Sequence, residues 1–286
     1  MAFQVQKNEK YTVEIVDVNS MGNGVAKIEQ YPLFIPNALK GETVEVKVVK
    51  TLKKYGFAKI LNWIEKSPHR VEPPCDVYHQ CGGCQLQHMS YEAQLQQKWQ
   101  TVRSAIDRIG GLPDVPVHPV KGMENPWHYR NKTQVPFQVQ DGRVVWGFYR
   151  PRTHEVVPTT NCLIQSEASN HILQEFSKIA PTLGLTIYDE VKHSGILRHL
   201  IVRTGDATGE IMVVLVVNAK ELKQQDQIVA ALVEIEPRIT SIVINENREN
   251  TNVILGRHSY PIYGPSVIRD ELKGLQFEIS ANSFYQ

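Results

Sequence analysis

This 286-residue chain contains four cysteines, and their spacing suits a metal or cluster site. Cys75, Cys81 and Cys84 form a Cys-x5-Cys-x2-Cys run, and Cys162 lies far downstream. Three thiolates from one loop with a remote fourth resemble iron–sulfur spacing more than the paired Cys-x2-Cys units of zinc ribbons. Two glycines between Cys81 and Cys84 let the backbone curl around a bulky cluster. The spacing favours an iron–sulfur centre; a four-cysteine zinc site is the alternative, and the number of irons stays open.

The cysteine count also limits the remaining chemistry. If all four thiols bind one centre, none is left in this sequence to act as a nucleophile. A closed site differs from the Cys-x3-Cys-x2-Cys loop of radical S-adenosylmethionine enzymes, which leaves one iron open. His79 and His88 lie nearby, but four thiols already complete a cluster, and we interpret both as loop residues. The pattern therefore indicates a structural or tuning cluster.

Two segments combine positive charge with interleaved aromatic residues. Residues 40–70 carry eight basic and three acidic side chains, and residues 121–152 carry six basic and two acidic. Such a local excess is typical of a nucleic-acid surface, although each segment could instead be a solvated face that binds nothing specific. The candidate RNA contacts in these segments are Lys50, Lys53, Lys54, Arg130 and Lys132.

The bulk composition is that of an ordinary globular protein, with 42% hydrophobic and 21% charged residues and a net charge of +1. No apolar run approaches the roughly 20 residues of a membrane helix, and the first residues lack the apolar core of a signal peptide. We therefore expect a cytoplasmic, reducing location, where clustered cysteines bind metal more often than they form disulfides. We also expect a monomer with no membrane or DNA partner.

Several domains are expected from the pattern of elements. Five short strands with glycine turns predict a small OB-like β-barrel, and the proline-rich stretch 67–74 marks a boundary. The remainder reads as a mixed α/β (α+β) domain. The predicted intervals are 1–66 for the barrel, 67–90 for the linker and cysteine loop, 91–111 for a helix and 112–278 for the central α/β domain.

Individual elements follow from caps, turns and periodicity. Ser90 predicts the start of a helix that ends before Gly110-Gly111, with an apolar stripe assigned to the core. Asp141-Gly142 predicts a hairpin turn, because both residues tolerate positive φ. The other predicted elements are helices at 166–183 and 221–235, strands at 211–217 and 239–245 that frame a β-α-β unit, and strand candidates at 252–255 and 275–279.

Six stretches occur in a characteristic order along the chain. They are Cys75-x5-Cys81-Gly-Gly-Cys84-Gln-Leu-Gln-His88, Tyr129-Arg-Asn-Lys132, Cys162, Leu197-Arg-His199, Asn250-Thr-Asn252 and Ile279-Ser-Ala-Asn-Ser-Phe-Tyr-Gln286. Together they resemble the S-adenosylmethionine-dependent RNA uracil-C5 methyltransferases. Gly22-Asn-Gly-Val-Ala26 and Pro36-Asn-Ala-Leu-Lys-Gly-Glu42 resemble the TRAM RNA-binding domain. A TRAM domain together with a cluster points to the 23S ribosomal RNA branch of that family.

The resemblance implies a chemistry and a set of site residues. A cysteine thiolate adds to uracil C6, the enolate attacks the methyl sulfonium through C5, and a base removes the C5 proton, on a base that has left its stack. The implied cofactors are a 4Fe-4S cluster on the four cysteines and S-adenosylmethionine, for which Gln286 is the contact in this chain. Arg130, Lys132, Arg198 and His199 are candidates for RNA contact or active-site support, or alternatively buried hydrogen-bonding residues.

The sequence departs from the family in its catalytic residues. The resemblance places a Rossmann-like methyltransferase domain after Gln286, with its start at 279–286, and places the nucleophile and the base there too. We therefore expect no catalytic residue and no methyl transfer by this chain alone, which would supply RNA binding and the cluster as the N-terminal portion of an enzyme. The alternative is a stand-alone RNA-binding or redox-sensing iron–sulfur protein. A radical methylthiotransferase fits the cysteine spacing less well.

Overall fold

The computed structural model describes residues 5–285, which group into two compact units. The first unit runs up to Tyr78 and again from Cys84 to Glu124. The second unit comprises His79–Gly83 and the chain from Asn125 onward. The cysteine loop therefore contributes residues to both units.

A six-stranded sheet forms the body of the first unit. Its strands are β1 (Lys10–Glu14), β2 (Asp17–Val18), β3 (Asn23–Ile28), β4 (Tyr31–Pro36), β5 (Thr43–Thr51) and β6 (Gly56–Glu65). They lie in the order β1-β5-β6-β4-β3-β2, and only β4 and β6 are parallel. The amide of Ile15 donates to Glu42 beside β5, and the amide of Val16 donates to Val25 on β3. These bonds join the two edges of the sheet and close it into a barrel.

The barrel interior is filled by alternate residues of the strands, as period-two patterning requires. Val44, Val46 and Val48 of β5 are fully buried, together with Leu33 and Ile35 of β4. The predicted barrel is confirmed. Between β1 and β2 the chain crosses from one edge of the sheet to the other.

Helix α1 (Tyr91–Ser104) begins at the predicted cap, where the Ser90 hydroxyl accepts the amide hydrogen of Ala93. A π-helical turn continues it over Ala105–Ile109. The sequence predicted that the apolar stripe of this helix lies in the core. That prediction is wrong, because no residue of the helix is buried and Ile109 is 88% exposed. Side-chain hydrogen bonds hold the helix instead, including Trp99 Nε1 to the Val117 carbonyl at 3.0 Å.

A seven-stranded sheet forms the second unit. Its strands are β7 (Lys132–Gln140), β8 (Arg143–Tyr149), β9 (Val156–Pro158), β10 (Leu197–Thr204), β11 (Ile211–Val217), β12 (Ile239–Glu246) and β13 (His258–Tyr263). The order is β13-β12-β11-β10-β7-β8-β9. The predicted hairpin is confirmed, with Asp141 and Gly142 at φ 50° and 75° between β7 and β8. Only β11 and β12 are parallel neighbours, which confirms the predicted β-α-β unit.

Two helices cover one face of this sheet. Helix α2 (Glu167–Ile179) begins at Ser166, whose hydroxyl caps Ser169, and helix α3 (Gln225–Ile235) connects β11 to β12. Their buried side chains, among them Phe176 and Leu232, pack with the sheet in one apolar cluster. Both faces of β11 are covered, which is why all seven of its residues are apolar and buried.

A two-stranded hairpin, β14 (Val267–Leu272) and β15 (Leu275–Ser280), contributes apolar residues on the other side. The strand expected at 275–279 is confirmed. The strand expected at 252–255 is wrong: the segment bends, and the carbonyls of Val253 and Ile254 accept hydrogen bonds from the Asn247 side chain. Positions 279 and 280 belong to β15 and give no support to a new domain starting at 279. Among residues 5–285, no helix is long and apolar enough to cross a membrane.

Candidate functional site

The cysteine loop lies between the proline-rich linker and α1, and all four cysteines are half-buried. The carbonyl of Cys75 accepts the Tyr78 amide at 3.0 Å, which starts the loop with a turn. The amide of Gly83 donates to Cys81 Sγ at 3.3 Å. An amide directed at sulfur stabilises a thiolate, which is the form that binds metal.

Cys162 lies in the loop before α2 and is fixed through its backbone. Its amide donates to Asn170 Oδ1 at 3.0 Å, and its carbonyl accepts from Asn170 Nδ2 at 3.1 Å. Asn170 is a buried residue on the first turn of α2. The helix therefore holds the position of the Cys162 backbone.

The thiols are divided between the two units. Cys75 and Cys84 belong to the first unit, and Cys81 and Cys162 belong to the second. Within residues 5–285, no group of three or more His, Cys, Asp or Glu side chains is arranged to hold a metal ion. The number of thiols and the amide-to-sulfur bond are those that a cluster would use. The predicted iron–sulfur site is not confirmed and stays a prediction.

His88 is more than a loop residue. It is 1% exposed, and its Nδ1 lies 2.6 Å from the hydroxyl of buried Tyr78. Burial raises the pKa of Tyr78 to about 12, and the charge of Cys84 acts in the same direction. The Tyr78 hydroxyl thus stays protonated beside the cysteine loop, which the motif alone did not indicate.

Lys132, a predicted RNA contact, is part of a cationic cluster at the start of β7. Burial lowers the pKa of Lys132, and the positive charges of Arg203 and Arg130 lower it further. Its Nζ lies 5.8 Å from the ring centroid of Phe284, a side chain that is 93% exposed. The structure therefore brings Arg130 and Lys132 close enough for their charges to interact, and their contact with RNA stays a prediction.

Arg203 is the member of this cluster that sequence reasoning missed. It is 3% exposed on β10, and its guanidinium donates to the carbonyls of Ala281 and Ser283 at 2.9 and 2.6 Å. Burial lowers its pKa. Its position opposite Lys132 in the β7–β10 register is the signal that pairs them, and that register is not visible in sequence.

Arg198 is buried rather than presented to solvent. Its guanidinium donates to three carbonyls between residues 247 and 251 and lies 4.5 Å from the ring centroid of Tyr188. Next to it, His199 is 6% exposed, and burial followed by the charge of Arg198 lowers its pKa to about 4. The contacts of Arg198 are those of a buried hydrogen-bonding residue. His199 Nδ1 is buried without a hydrogen-bond partner among residues 5–285.

The predicted RNA contacts of the barrel all lie at the end of β5 or in the turn after it. Lys50 lies near the end of β5, Lys53 and Lys54 lie in the turn that follows, and all three are exposed. Two members of the basic and aromatic segments lie elsewhere: Arg70 binds the carboxylate of Glu42, and Trp146 is 2% exposed in the core. The predicted cofactor contact Gln286 lies outside the described residues.

Comparison with known proteins adds the following likenesses. Residues 4–61 match the family model of the TRAM domain, which confirms the predicted TRAM-like barrel. An uncharacterized RNA methyltransferase of Halalkalibacterium halodurans is 46% identical over 282 residues, covering 99% of this chain and 62% of that protein. An uncharacterized RNA methyltransferase of Bacillus cereus is 45% identical over 282 residues, with the same coverage.

A solved structure shares the fold. The tRNA (uracil-54, C5)-methyltransferase of Pyrococcus abyssi, in complex with S-adenosyl-L-homocysteine, aligns with a TM-score of 0.69 and 23% identity. The alignment covers 96% of this chain and 61% of that one. The chain thus spans about 62% of the length of the first relatives it matches.

Proposed function

We propose that this chain serves in the S-adenosylmethionine-dependent methylation of uridine C5 in 23S ribosomal RNA, supplying RNA binding and an iron–sulfur cluster. The observation that carries the proposal is the 46% identity, over 99% of the chain, to a protein named as an RNA methyltransferase. A fold shared with a uracil-C5 methyltransferase supports it. The order of the sequence motifs supports the C5 position as the target.

RNA binding is assigned to two surfaces. On the TRAM-like barrel (1–66), Lys50, Lys53 and Lys54 are exposed at the end of β5 and in the next turn, where phosphates can reach them. In the central domain (112–278), Arg130 and Lys132 would contact RNA, with the positive charge of buried Arg203 nearby. Phosphate contacts of this kind fix RNA on a protein without reading its sequence.

Arg198 and His199 are assigned a supporting role. Arg198 binds the carbonyls of the segment 247–251, which contains most of the Asn250-Thr-Asn252 motif. Its side chain would hold that segment in place while other groups contact the RNA. A neutral His199 beside it avoids a second buried charge.

The cluster would use Cys75, Cys81, Cys84 and Cys162 as ligands. Support comes from the thiol count and from the Gly83 amide directed at Cys81 Sγ. When bound, the cluster supplies a covalent brace for the cysteine loop. With all four thiols assigned in this way, the addition to uracil C6 has no cysteine nucleophile among residues 1–286.

The decisive experiment combines binding and methyl transfer. The chain is mixed with 23S ribosomal RNA or transfer RNA and labelled S-adenosylmethionine, and bound RNA and transferred label are both measured. We expect tighter binding to ribosomal RNA and no transfer by this chain. Preference for transfer RNA would replace the proposed substrate, and transfer by the chain itself would refute the assignment of all four cysteines to a cluster.

The metal requires its own measurement. Protein purified without oxygen should contain iron and acid-labile sulfide, and Cys162→Ser should lose most of the iron because one ligand in four is gone. A colourless protein with stoichiometric zinc would refute the cluster. Iron and RNA binding, with no role for the chain in any methyl-transfer reaction, would favour the stand-alone RNA-binding or redox-sensing protein instead.

A further inference from the structure

Three aromatic rings form a cluster on the outside of the TRAM-like barrel. Phe34 lies on β4, Phe57 on β6, and Tyr55 just before β6. Their ring centroids are 5.4 Å apart for Phe34–Tyr55, 5.9 Å for Phe34–Phe57 and 5.7 Å for Tyr55–Phe57. We call these three residues the aromatic triad.

The position of the triad follows from strand register. Leu33 and Ile35 point into the barrel and are fully buried, so Phe34 between them points outward. Phe34 pairs directly with Phe57 across the parallel β4–β6 contact. The two rings are partly exposed, and Tyr55 is 38% exposed. The three rings therefore lie on the outer surface of the barrel and are not part of its core.

The turn that carries Tyr55 is held in place. The Tyr31 hydroxyl lies within hydrogen-bond distance of the Leu52 and Tyr55 carbonyls, which share its single proton, and it accepts the Leu52 amide hydrogen at 3.1 Å. The Leu52 amide also donates to the Tyr55 carbonyl at 2.9 Å. Since the turn is fixed before any ligand arrives, little conformational entropy is lost on binding.

Positive charge surrounds the triad. The segment 47–59 contains five lysines and no acidic residue, and Lys50 lies opposite Phe57 in the β5–β6 register. The lysines are Lys47, Lys50, Lys53, Lys54 and Lys59. None of them forms a salt bridge with any residue in the range 5–285. Their charges are therefore available to an anionic ligand.

We infer that the aromatic triad is a stacking platform for one or two unpaired bases of a single-stranded RNA segment whose phosphates lie on the surrounding lysines. Aromatic rings bind bases through their faces, and lysines bind the backbone, so the combination selects unstacked nucleic acid without reading a sequence. In a duplex the base faces are covered by their neighbours and are out of reach of the rings. This inference rests on the proposed RNA-binding function and names the form of RNA that the barrel takes.

The first test compares two matched tyrosine variants in the full 286-residue chain. Tyr55→Leu removes a ring of the triad, and Tyr263→Leu removes a ring of nearly equal exposure, 39%, on β13. Fluorescence anisotropy is measured with a single-stranded RNA of about 12 nucleotides and with a duplex of the same sequence. We expect Tyr55→Leu to weaken single-strand binding about tenfold and duplex binding by less than about twofold, and Tyr263→Leu to change neither.

A second measurement separates stacking from charge. An RNA of the same length that lacks its bases should bind the wild-type chain about as weakly as the intact RNA binds the Tyr55→Leu variant. Since Tyr55→Leu leaves the lysines in place, the salt dependence of its binding should match the wild type. Equal affinity of the wild-type chain for intact and base-free RNA would overturn the platform, as would unchanged binding by both Tyr55→Leu and a Phe34→Leu variant of normal stability.

These outcomes are distinct from those of the proposed function. The binding assays need neither S-adenosylmethionine nor the cluster. Loss of the methylation role would leave the triad result standing, whereas failure of the triad test would leave RNA binding to the lysines and the methylation role intact.

Discussion

Buried polar residues show most clearly how a single side chain can have a role other than the one its motif suggests. Arg198 and His199 belong to the Leu197-Arg-His199 stretch that resembles the RNA uracil-C5 methyltransferases, yet the structure buries both. Glu42, at the end of a glycine turn motif, is 0% exposed and binds Arg70, Leu39 and Ser67. Such residues are best tested by their effect on stability and titration before any effect on RNA.

His199 should titrate far below an ordinary histidine. Burial and the adjacent Arg198 charge lower its folded pKa to about 4, while its unfolded pKa is near 6.5. The unfolded chain therefore binds the proton first, and stability falls as the pH drops from 6.5 to 4, by up to about 3 kcal/mol.

The measurement is a proton NMR titration of the His199 ring, assigned by comparison with His199→Gln. The variant should also lose this part of the pH dependence of unfolding by urea. A midpoint near pH 6.5 for this ring would contradict its burial.

Glu42→Gln should destabilise the barrel. Burial acts to raise the pKa of Glu42, but hydrogen bonds from Arg70 and from the Leu39 amide outweigh it and lower the pKa. Removing one charge of a buried pair costs about 3 kcal/mol, and the stabilisation by this carboxylate is lost as the pH falls through its folded pKa. Chemical denaturation gives the free energy of unfolding.

Glu45→Gln is the matched control for that change. Glu45 pairs with Lys10 at 3.6 Å on the partly exposed surface of β5, the strand that follows Glu42. A loss below about 1 kcal/mol is expected there. Equal losses for the two variants would show that Glu42 is not a buried anchor.

At the scale of elements, close approaches of strands decide which glycines matter. A Cβ at Gly147 on β8 would lie 1.9 Å from the carbonyl oxygen of Val157 on β9. A Cβ at Gly142, in the β7–β8 turn at φ +75°, would meet nothing within 4 Å. A side chain at position 147 is therefore opposed by packing, whereas a side chain at position 142 is opposed by the positive φ.

Gly147→Ala should therefore cost more than Gly142→Ala. The first change forces β9 away from β8 and should cost about 3 kcal/mol, whereas the second costs about 1 kcal/mol for a left-handed alanine. Urea denaturation of the two variants gives the comparison. A larger loss of stability for Gly142→Ala than for Gly147→Ala would mean that β9 can move away from β8 at little cost.

At the scale of the whole molecule, charge is distributed unevenly although its sum is only +1. The lysine segment of the barrel and the cationic cluster at β7 belong to different units. A net charge near zero therefore gives no measure of RNA binding, since local fields act within about a Debye length.

Replacing Lys50, Lys53 and Lys54 together by alanine should reduce the salt dependence of RNA binding. Each lost phosphate contact lowers the slope of log affinity against log salt by about 0.7, so the slope should fall by about 2. The control replaces the exposed Lys220, Lys223 and Lys273 of the second unit, with the same change in net charge. Equal effects of the two triple variants would show that only net charge matters.

Much of the secondary structure was predictable from local patterns. The Ser90 cap, the Asp141-Gly142 turn and the all-apolar β11 are encoded by neighbouring residues, because caps, turns and strand periodicity are short-range. The exposed stripe of α1 was mispredicted, because periodicity states which residues share a face and not whether anything covers that face.

Residue type, spacing and alternation were enough to predict the cysteine set, the barrel and the lysine segment, because these patterns are local. Which charges are exposed depends on the tertiary fold, which paired Arg70 with Glu42, buried Arg198, and placed Arg203 opposite Lys132 on a neighbouring strand. It also assembled Phe34, Tyr55 and Phe57 into one surface. These contacts join strands far apart in the chain, and their register depends on the closing of the whole sheet.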